Sequence, residues 1–361
     1  MRRTPTISEV AKAAGVGRAT AARTLGGYGY VSADARDRVL TAAQKLGYRP
    51  NRLAQSVSTG SSRTIGVVVA DVSNPFFGDA VRGASELATA KGYGILLMST
   101  YEDVENETSA VNLLVDNRVD GIILSSSIRG TGHGDILRSA RDQSIPVVLL
   151  DRQISDAELD TVIINNRESV RQAVTSLISL GHSRIGFVWG PPNEYRPRWQ
   201  SELSEAAQND LWTDGERMMG YLDALADSGV ELDIDLVSMG EKTEHHVRED
   251  LGRMLSMKKR PTAIFCTETE ALTGTLAAIR SAGLRIPEDV SVIGFDDSSW
   301  AAVYDPPLTM IKQPTRELGA EACRLLLDRV ENGIGPAHVS VLETSVVTRE
   351  SVLDISDRNS D

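Results

Sequence analysis

The chain has 361 residues, of which 41% are hydrophobic and 24% charged, with two cysteines and a formal net charge of −12. That length and apolar share suit two or three domains with ample core, and two cysteines exclude a disulfide framework. No stretch approaches the roughly 18 apolar residues of a membrane span, and the basic start MRRTPT is followed by no apolar run, so the expected setting is the cytoplasm, with no membrane partner.

The charge is unevenly placed. Residues 1–63 carry eleven Lys or Arg against three acids, a balance of +8 that leaves −20 for residues 64–361. A basic head joined to an acidic body suits a polyanion such as DNA at one end of the chain only.

Residues 6–26, TISEVAKAAGVGRATAARTLG, read as two short helices meeting at a tight turn. Thr6 and Glu9 stand at capping-box spacing, which predicts a helix from about Ile7 with Val10, Ala11 and Ala14 turned inward and Ser8, Glu9 and Lys12 wet. Gly15-Val16-Gly17 allows a sharp change of direction into a second helix, Arg18 to Leu25. In a helix-turn-helix the start of the second helix enters the major groove, so Arg18, Ala19, Thr20 and Arg23 are candidates for base edges or phosphates. Small Ala/Gly-rich helix pairs also occur in proteins that bind no DNA; the charge asymmetry favours DNA.

In GGYGYV, Tyr28 and Tyr30 are expected to cover the small core, with the DNA backbone as the alternative. Ser32 is placed to cap a third helix, Ala33 to Leu46, with Val39, Leu40, Ala43 and Leu46 inward and Gly47 as its stop. After the break Tyr48-Arg49-Pro50, the segment NRLAQSVS from Asn51 has helical spacing but is too short to hold alone in water. It is a conditional helix or, with the STGSS that ends it, a flexible linker.

From Thr64 apolar runs alternate with amphipathic stretches: IGVVVA, GILLMS, GIILSS and PVVLLD with intervening helices ending at Lys91, Asn117 and Gln143. A second series follows, TVII, RIGFVW, LVSM, AIFC and VSVIGF, with helices ending at Leu180, Ala226, Met257 and Ala282. Continuous apolar strands between helices predict two doubly wound parallel-sheet lobes with ligand at the carboxyl ends of the strands. A last helix, Arg316 to Val330, and HVSVLETSVV complete the lobes. The polar tail from Ser351 has no sustained leucine heptads, so a homodimer rather than a tail-zipped tetramer is expected.

Several side chains fall just past strand ends: Asn74, Phe76 and Phe77, then Asp151 and Arg152, then Asp296 and Gln313, with Arg217 at a helix start. Carboxylates and guanidinium forks beside an aromatic plate describe a site for a polyhydroxylated ring. Cys266 and Cys323 read as reduced core thiols and His245-His246 as a solvated helix face. Gly27-Tyr28-Gly29 follows no strand, and no catalytic constellation is complete. No cofactor, metal or enzymatic activity is therefore expected.

The runs TISEVAKAAGV, VSADARDRVLTAAQKLGYRPN and RTIGVVVADVSNPFF resemble the lactose-repressor (LacI/GalR) family of bacterial transcription factors over nearly the whole chain. The resemblance implies a small all-α helix-turn-helix head (1–50), a hinge helix and linker (51–63), an α/β two-lobed core like periplasmic sugar-binding proteins (64–350), and a short tail (351–361). It implies a dimer on a near-palindromic operator, with DNA contacts from Thr6, Gly17, Arg18, Ala19, Thr20, Arg23 and Tyr30, and from Asn51, Arg52, Leu53, Ala54 and Val57 in the hinge. Val57 stands where the family has a minor-groove leucine, so a shallower wedge is expected. Gly17 and Ala22 replace family serines, which shifts phosphate binding toward Arg18, Arg23 and Arg52 and predicts a steep salt dependence.

For the effector, the resemblance implies contacts from Asn74, Phe76, Phe77, Asp151, Arg152, Arg217, Asp296 and Gln313. Thr267-Glu268 replaces the family's Asn-Asp, and Glu241-Lys242 follows Gly240 where an aromatic often closes the pocket. Lys242 hints at an acidic sugar, if it faces the pocket at all; an unmodified pentose or hexose is the leading expectation. Residues 193–212 form a longer run than is usual and are expected either near the pocket mouth or as a surface ornament. The implied function is a sequence-specific regulator, a repressor, gated by a sugar-like molecule. A sugar-binding transport component or a sugar-active enzyme are the alternatives.

Overall fold

A computed structural model describes residues 5–26, 28–48, 61–128, 136–154, 157–188, 197–209, 213–240, 243–333 and 335–359. The chain divides into two compact units, Met1–Thr64 with Asn117–Asp120, and Ile65–Asp116 with Gly121–Asp361.

The first unit begins with α1 (Ile7–Ala14), whose capping box is fully formed: Thr6 N–H and hydroxyl meet the Glu9 carboxylate at 2.7 and 3.0 Å, and Glu9 N–H donates to the Thr6 hydroxyl. Gly15 ends it at φ 65°, a conformation that glycine adopts without a Cβ penalty. α2 (Arg18–Gly26) and α3 (Ala33–Leu46) follow. Val10, Ala11, Ala14, Ala21, Val39, Ala42 and Ala43 make the core, flanked by Ile7, Val16, Leu25 and Tyr48.

Three expectations fail here. Leu40 and Leu46 are about half exposed, because the tight helical triangle admits Ala42 and Ala35 instead. Ser32 occupies the cap position of α3 but its hydroxyl makes no cap bond. Tyr28 and Tyr30 do not cover the core: Tyr28 is 52% and Tyr30 90% exposed. Beyond the linker, the Asp120 carboxylate accepts from the Ser61 hydroxyl, from the Ser62 N–H and hydroxyl and from the Arg63 N–H, at 2.5 to 3.0 Å.

In chain order the rest comprises β1 (Thr64–Val69), α4 (Pro75–Ala90), β2 (Gly94–Ser99), α5 (Val104–Asp116), β3 (Gly121–Leu124), α6 (Arg138–Asp142), β4 (Val147–Leu150) and β5 (Asp160–Ile164). Then come α7 (Asn166–Ser179), β6 (Ile185–Val188), α8 (Gln200–Asn209), α9 (Thr213–Asp227), β7 (Val237–Ser238), α10 (Glu244–Leu255), β8 (Ala263–Cys266), α11 (Thr269–Ser281) and β9 (Ser291–Phe295). The series closes with β10 (Thr309–Lys312), α12 (Thr315–Asn332), β11 (Val339–Leu342) and β12 (Ser345–Val347).

The strands form two six-stranded sheets, β11-β5-β4-β3-β1-β2 and β12-β10-β9-β8-β6-β7. The two orders are the same topology used twice, parallel in each described pairing except for the antiparallel β12 against β10. β1, β3, β4, β6, β8 and β9 are buried almost end to end, as strands covered by helices on both faces must be. HVSVLETSVV splits between the sheets, β11 joining β5 and β12 joining β10.

The chain crosses between lobes after β5, after β10 and after β11. Two crossings are tied together: Asn165 N–H donates to Leu342 O, Thr344 N–H to Asn165 Oδ1, and Asn165 Nδ2 to Glu343. α12 returns to the first lobe, where Gly319 and Gly83 let it cross α4 in backbone contact. A Cβ on Gly319 would lie 1.7 Å from Ala80 O, and one on Gly83 1.9 Å from Arg316 O.

The expected helix before Gln143 is only five residues long, and the expected polar tail is woven into the second lobe as far as Ile355. Ser351 is buried, accepting from Thr309 N–H and donating to Val292 O, and His182 bonds Leu353 O. Within the long run 193–212, α8 is seated by buried Leu203 and Ala207 beside α9, so residues 197–209 are part of the lobe rather than an ornament. Trp199 is 65% exposed, while Asn193 and Trp212 lie outside the described residues.

Candidate functional site

In the head, α2 presents Arg18, Ala19 and Arg23 to solvent while Ala21 and Thr24 face the core. Thr20 is half buried, and its carbonyl accepts the Thr24 hydroxyl at 3.0 Å. Gly17 meets nothing within 4 Å of a Cβ placed on it, so the position where a serine is expected is open. The exposed ring of Tyr30 is available on the same unit. Thr6, by contrast, spends its side chain on the cap of α1. Asn51, Arg52, Leu53, Ala54 and Val57 lie outside the described residues, as does Lys242.

In the two-lobed unit the carboxyl ends of the strands gather polar groups. Asp151 follows β4 and Asp296 follows β9, strands that hold the same place in the two sheet orders, so the two carboxylates are topological twins. Both adopt the left-handed backbone conformation, at φ 68° and 70°, rare for a non-glycine residue and held here by the bonds Asp151 N–H to Val162 O and Asp297 N–H to Ile311 O.

Burial pushes the Asp151 carboxyl up to about 6; the charges of Arg152 and Arg217 pull it down, and those of Asp296 and Glu102 add to the rise. The charges of the twins therefore act on one another, and Arg217 offsets part of that repulsion at Asp151. Asp296 accepts from Gln313 Nε2 at 2.5 Å, whereas Asp297 turns away to pair with Arg349. Gln313 is 6% exposed, and among the described residues its buried Oε1 has no donor.

Arg217 is buried on α9. Its Nε donates to Asn166 Oδ1 at 2.9 Å, its Nη1 to Thr267 O at 2.7 Å, and its guanidinium lies 3.9 Å from the centroid of the Phe295 ring. Arg152 donates from Nη1 and Nη2 to the two oxygens of Glu102 at 2.6 Å each, and from Nη1 to Ser126 O at 3.0 Å. Burial opposes the charge on Arg152, and Glu102, Asp151 and Asp214 together more than offset it, so the group is held firmly cationic.

Other expected contacts are placed differently. Asn74 Oδ1 caps α4 by accepting Phe76 N–H, and Pro75 opens the helix where no amide is needed. Phe76 and Phe77 are largely buried and meet edge to face at 5.0 Å, so they back the site more than they plate it. The Thr267 hydroxyl is committed to Val188 O, and the residue serves the cleft through its carbonyl.

Sequence reasoning missed Glu102, Ser126, Asn166 and Phe295. Glu102 and Ser126 lie in the turns that follow β2 and β3, so counting every strand end points to their positions but not to their pairing with Arg152. It also missed Glu107, wholly buried on α5, whose carboxyl is raised by desolvation while Ser127 N–H and the Ser126 hydroxyl donate to it. Cavities of about 660 Å³ beside β7, lined by Met239, Met254 and Met257, and of about 540 Å³ beneath β4 and β5, contain none of these residues. The thiols of Cys266 and Cys323 are buried and free, and the described residues contain no cluster able to hold a metal.

A profile of bacterial regulatory proteins of the lacI family matches residues 6–51, and one of periplasmic binding protein-like domains matches residues 174–352. The HTH-type transcriptional regulator RegA of Clostridium saccharobutylicum is 30% identical over 96% of this chain and 99% of its own. The repressor CytR of Escherichia coli K12 is 33% identical over 90% of each. Among solved structures, the complex of the transcriptional regulator CelR with cellobiose is 31% identical, with a TM-score of 0.68 over 96% of this chain and 99% of that one. The lac repressor dimer bound to operator and the anti-inducer ONPF is 26% identical, with a TM-score of 0.80 over 97% and 100%. The basic three-helix head, the doubled parallel sheet and these full-length likenesses agree: the chain belongs to the lacI family of bacterial regulatory proteins, and it is a DNA-binding transcriptional regulator.

Proposed function

We propose that the protein is a repressor that binds a near-palindromic operator as a homodimer and is gated by a neutral sugar-like molecule held between its lobes. The observation that carries this reading is the pair Asp151 and Asp296, left-handed twins from opposite lobes whose charges act on one another, Asp151 also facing the charge of Arg217, beside the donorless Oε1 of Gln313. Hydroxyl groups of one ring can donate to acceptors from both lobes at once and accept from Arg217. A ligand so held favours one lobe angle over another, by no more than its difference in affinity for the two states. Asn74, Phe76, Phe77, Arg152 and Thr267 build the walls, and Arg18, Ala19, Thr20, Arg23 and Tyr30 form the head's DNA face, with Gly17 at its open corner and Thr6 fixing α1.

Pairing of two copies is supported by the edge strand β2, where Leu96 and Leu97 are each about two-fifths exposed, beside the half-exposed Val104 and Leu113 of α5. RegA and CytR are regulators, which supports a role without turnover, in the cytoplasm where operators are. α8 packs on the helix that bears Arg217, and in this reading residues 193–212 tune which ligand is taken. Selection of bound fragments from genomic DNA, followed by footprinting, tests the first half: protection of two inverted half-sites is expected, and a single unpaired half-site would overturn the dimer.

A further inference from the structure

We propose that Glu102 sets the specificity of the cleft: by occupying the fork of Arg152 it excludes anionic ligands, so the site takes an uncharged polyol and rejects its carboxylate or phosphate analogue. The inference rests on the reading of the cleft as the effector site.

The fork of an arginine is the group that recognises carboxylate and phosphate bidentately. In this cleft that geometry is already satisfied from within, by both Glu102 oxygens at 2.6 Å and by Ser126 O. An incoming anion must displace Glu102 and leave it beside Asp151, whose carboxyl already feels Glu102 and Asp296 as repulsion. Asp214, buried at the start of α9, adds a third acid acting on Arg152 beside Glu102 and Asp151. Glu102, Asp151 and Asp214 thus act on the one guanidinium group of Arg152, and the field favours a ligand without negative charge.

Hydrogen bonding points the same way. Asp151, Asp296 and the Oε1 of Gln313 are acceptors, and ionised carboxylates or phosphates bring no donors to them at the charged end. Glu102 is also placed at a cost. Tyr101 and Glu102 adopt φ 57° and 61° in succession, a left-handed pair without glycine, anchored by Thr100 N–H to Val69 O and Tyr101 N–H to Ala70 O. Asp103 N–H closes this turn on Thr100 O, and the turn presents the Glu102 carboxylate to Arg152.

The test uses the full-length protein and inorganic phosphate as probe, titrated by equilibrium dialysis into wild type, Glu102→Gln and the double variant Glu102→Gln/Arg152→Gln. The double variant accounts for phosphate held by the basic head. Glu102→Gln is expected to bind phosphate at least about tenfold tighter than wild type, with the gain lost in the double variant. Equal binding by wild type and a folded Glu102→Gln, or a gain that survives removal of Arg152, would overturn the proposal. Glu102 is half exposed, so Glu102→Gln is expected to fold, and circular dichroism checks it.

A second measurement needs no variant: operator binding by wild type with D-ribose, D-glucose and cellobiose against D-gluconate and D-ribose 5-phosphate. A stronger response to an acid than to every neutral sugar would also overturn the role of Glu102. If the phosphate gain appears while no neutral sugar moves operator binding, Glu102 keeps its role and the sugar reading of the cleft falls instead.

Discussion

Asp151→Asn is expected to stabilise the protein while removing its response to ligand. The Asp151 side chain is 10% exposed, and burial raises its carboxyl from the ordinary 3.8 to about 6. That rise is worth about 3 kcal/mol against the ionised form. Asparagine keeps the shape and tolerates the left-handed backbone at φ 68°, so relief of about 1–3 kcal/mol is expected at neutral pH.

The sign follows from proton linkage. Between about pH 3.8 and 6 the folded state holds the Asp151 proton more tightly than the unfolded chain, so wild-type stability falls as pH rises through that window. The variant lacks this fall. Its advantage over wild type is small at pH 4, grows through the window and is complete by pH 7. Urea unfolding at fixed protein concentration, followed by circular dichroism and tryptophan fluorescence from pH 4 to 8, measures it. A difference independent of pH, or a variant less stable than wild type at pH 7, would refute the reasoning.

Other expectations follow from single contacts. Thr6→Ala removes the hydroxyl that accepts Glu9 N–H, leaving only the backbone half of the capping box on α1, and should cost the head about 1 kcal/mol, read in its thermal midpoint. Gly319→Ala places a Cβ 1.7 Å from Ala80 O, so α4 and α12 must part, at about 2–3 kcal/mol in urea unfolding; an unchanged midpoint would contradict the close crossing. Arg18→Ala should flatten the preference for operator over random DNA. Tyr30→Ala should leave the stability of the head unchanged, its ring being 90% exposed, while weakening DNA binding by gel shift.

Elements whose signal is local were readable from the chain. The capping box at Thr6, the glycine stops at Gly15 and Gly47 and the apolar strands β1, β4 and β9 are each written in a few adjacent residues. So were the positions of Asp151, Asp296 and Gln313 just past their strands, because strand ends can be counted. What escaped depends on partners distant in sequence. Leu40 and Leu46 have the right period for a core face, yet the small head closes over alanines before it reaches them. Glu102 meets Arg152 fifty residues away, and the service that Thr267 gives to Arg217 passes through a carbonyl, on which side-chain chemistry is silent. The doubling of one topology, which makes Asp151 and Asp296 equivalent, is visible only once the strand order is known.

The most direct test of the account is operator affinity with and without neutral sugars, for wild type and for Asp296→Asn. At least one sugar should shift the wild-type affinity by tenfold or more, about 1.4 kcal/mol of coupling, and Asp296→Asn should bind the operator normally but lose that shift. A wild-type response that Asp296→Asn retains in full would show that operator binding is controlled from somewhere other than the cleft between the lobes.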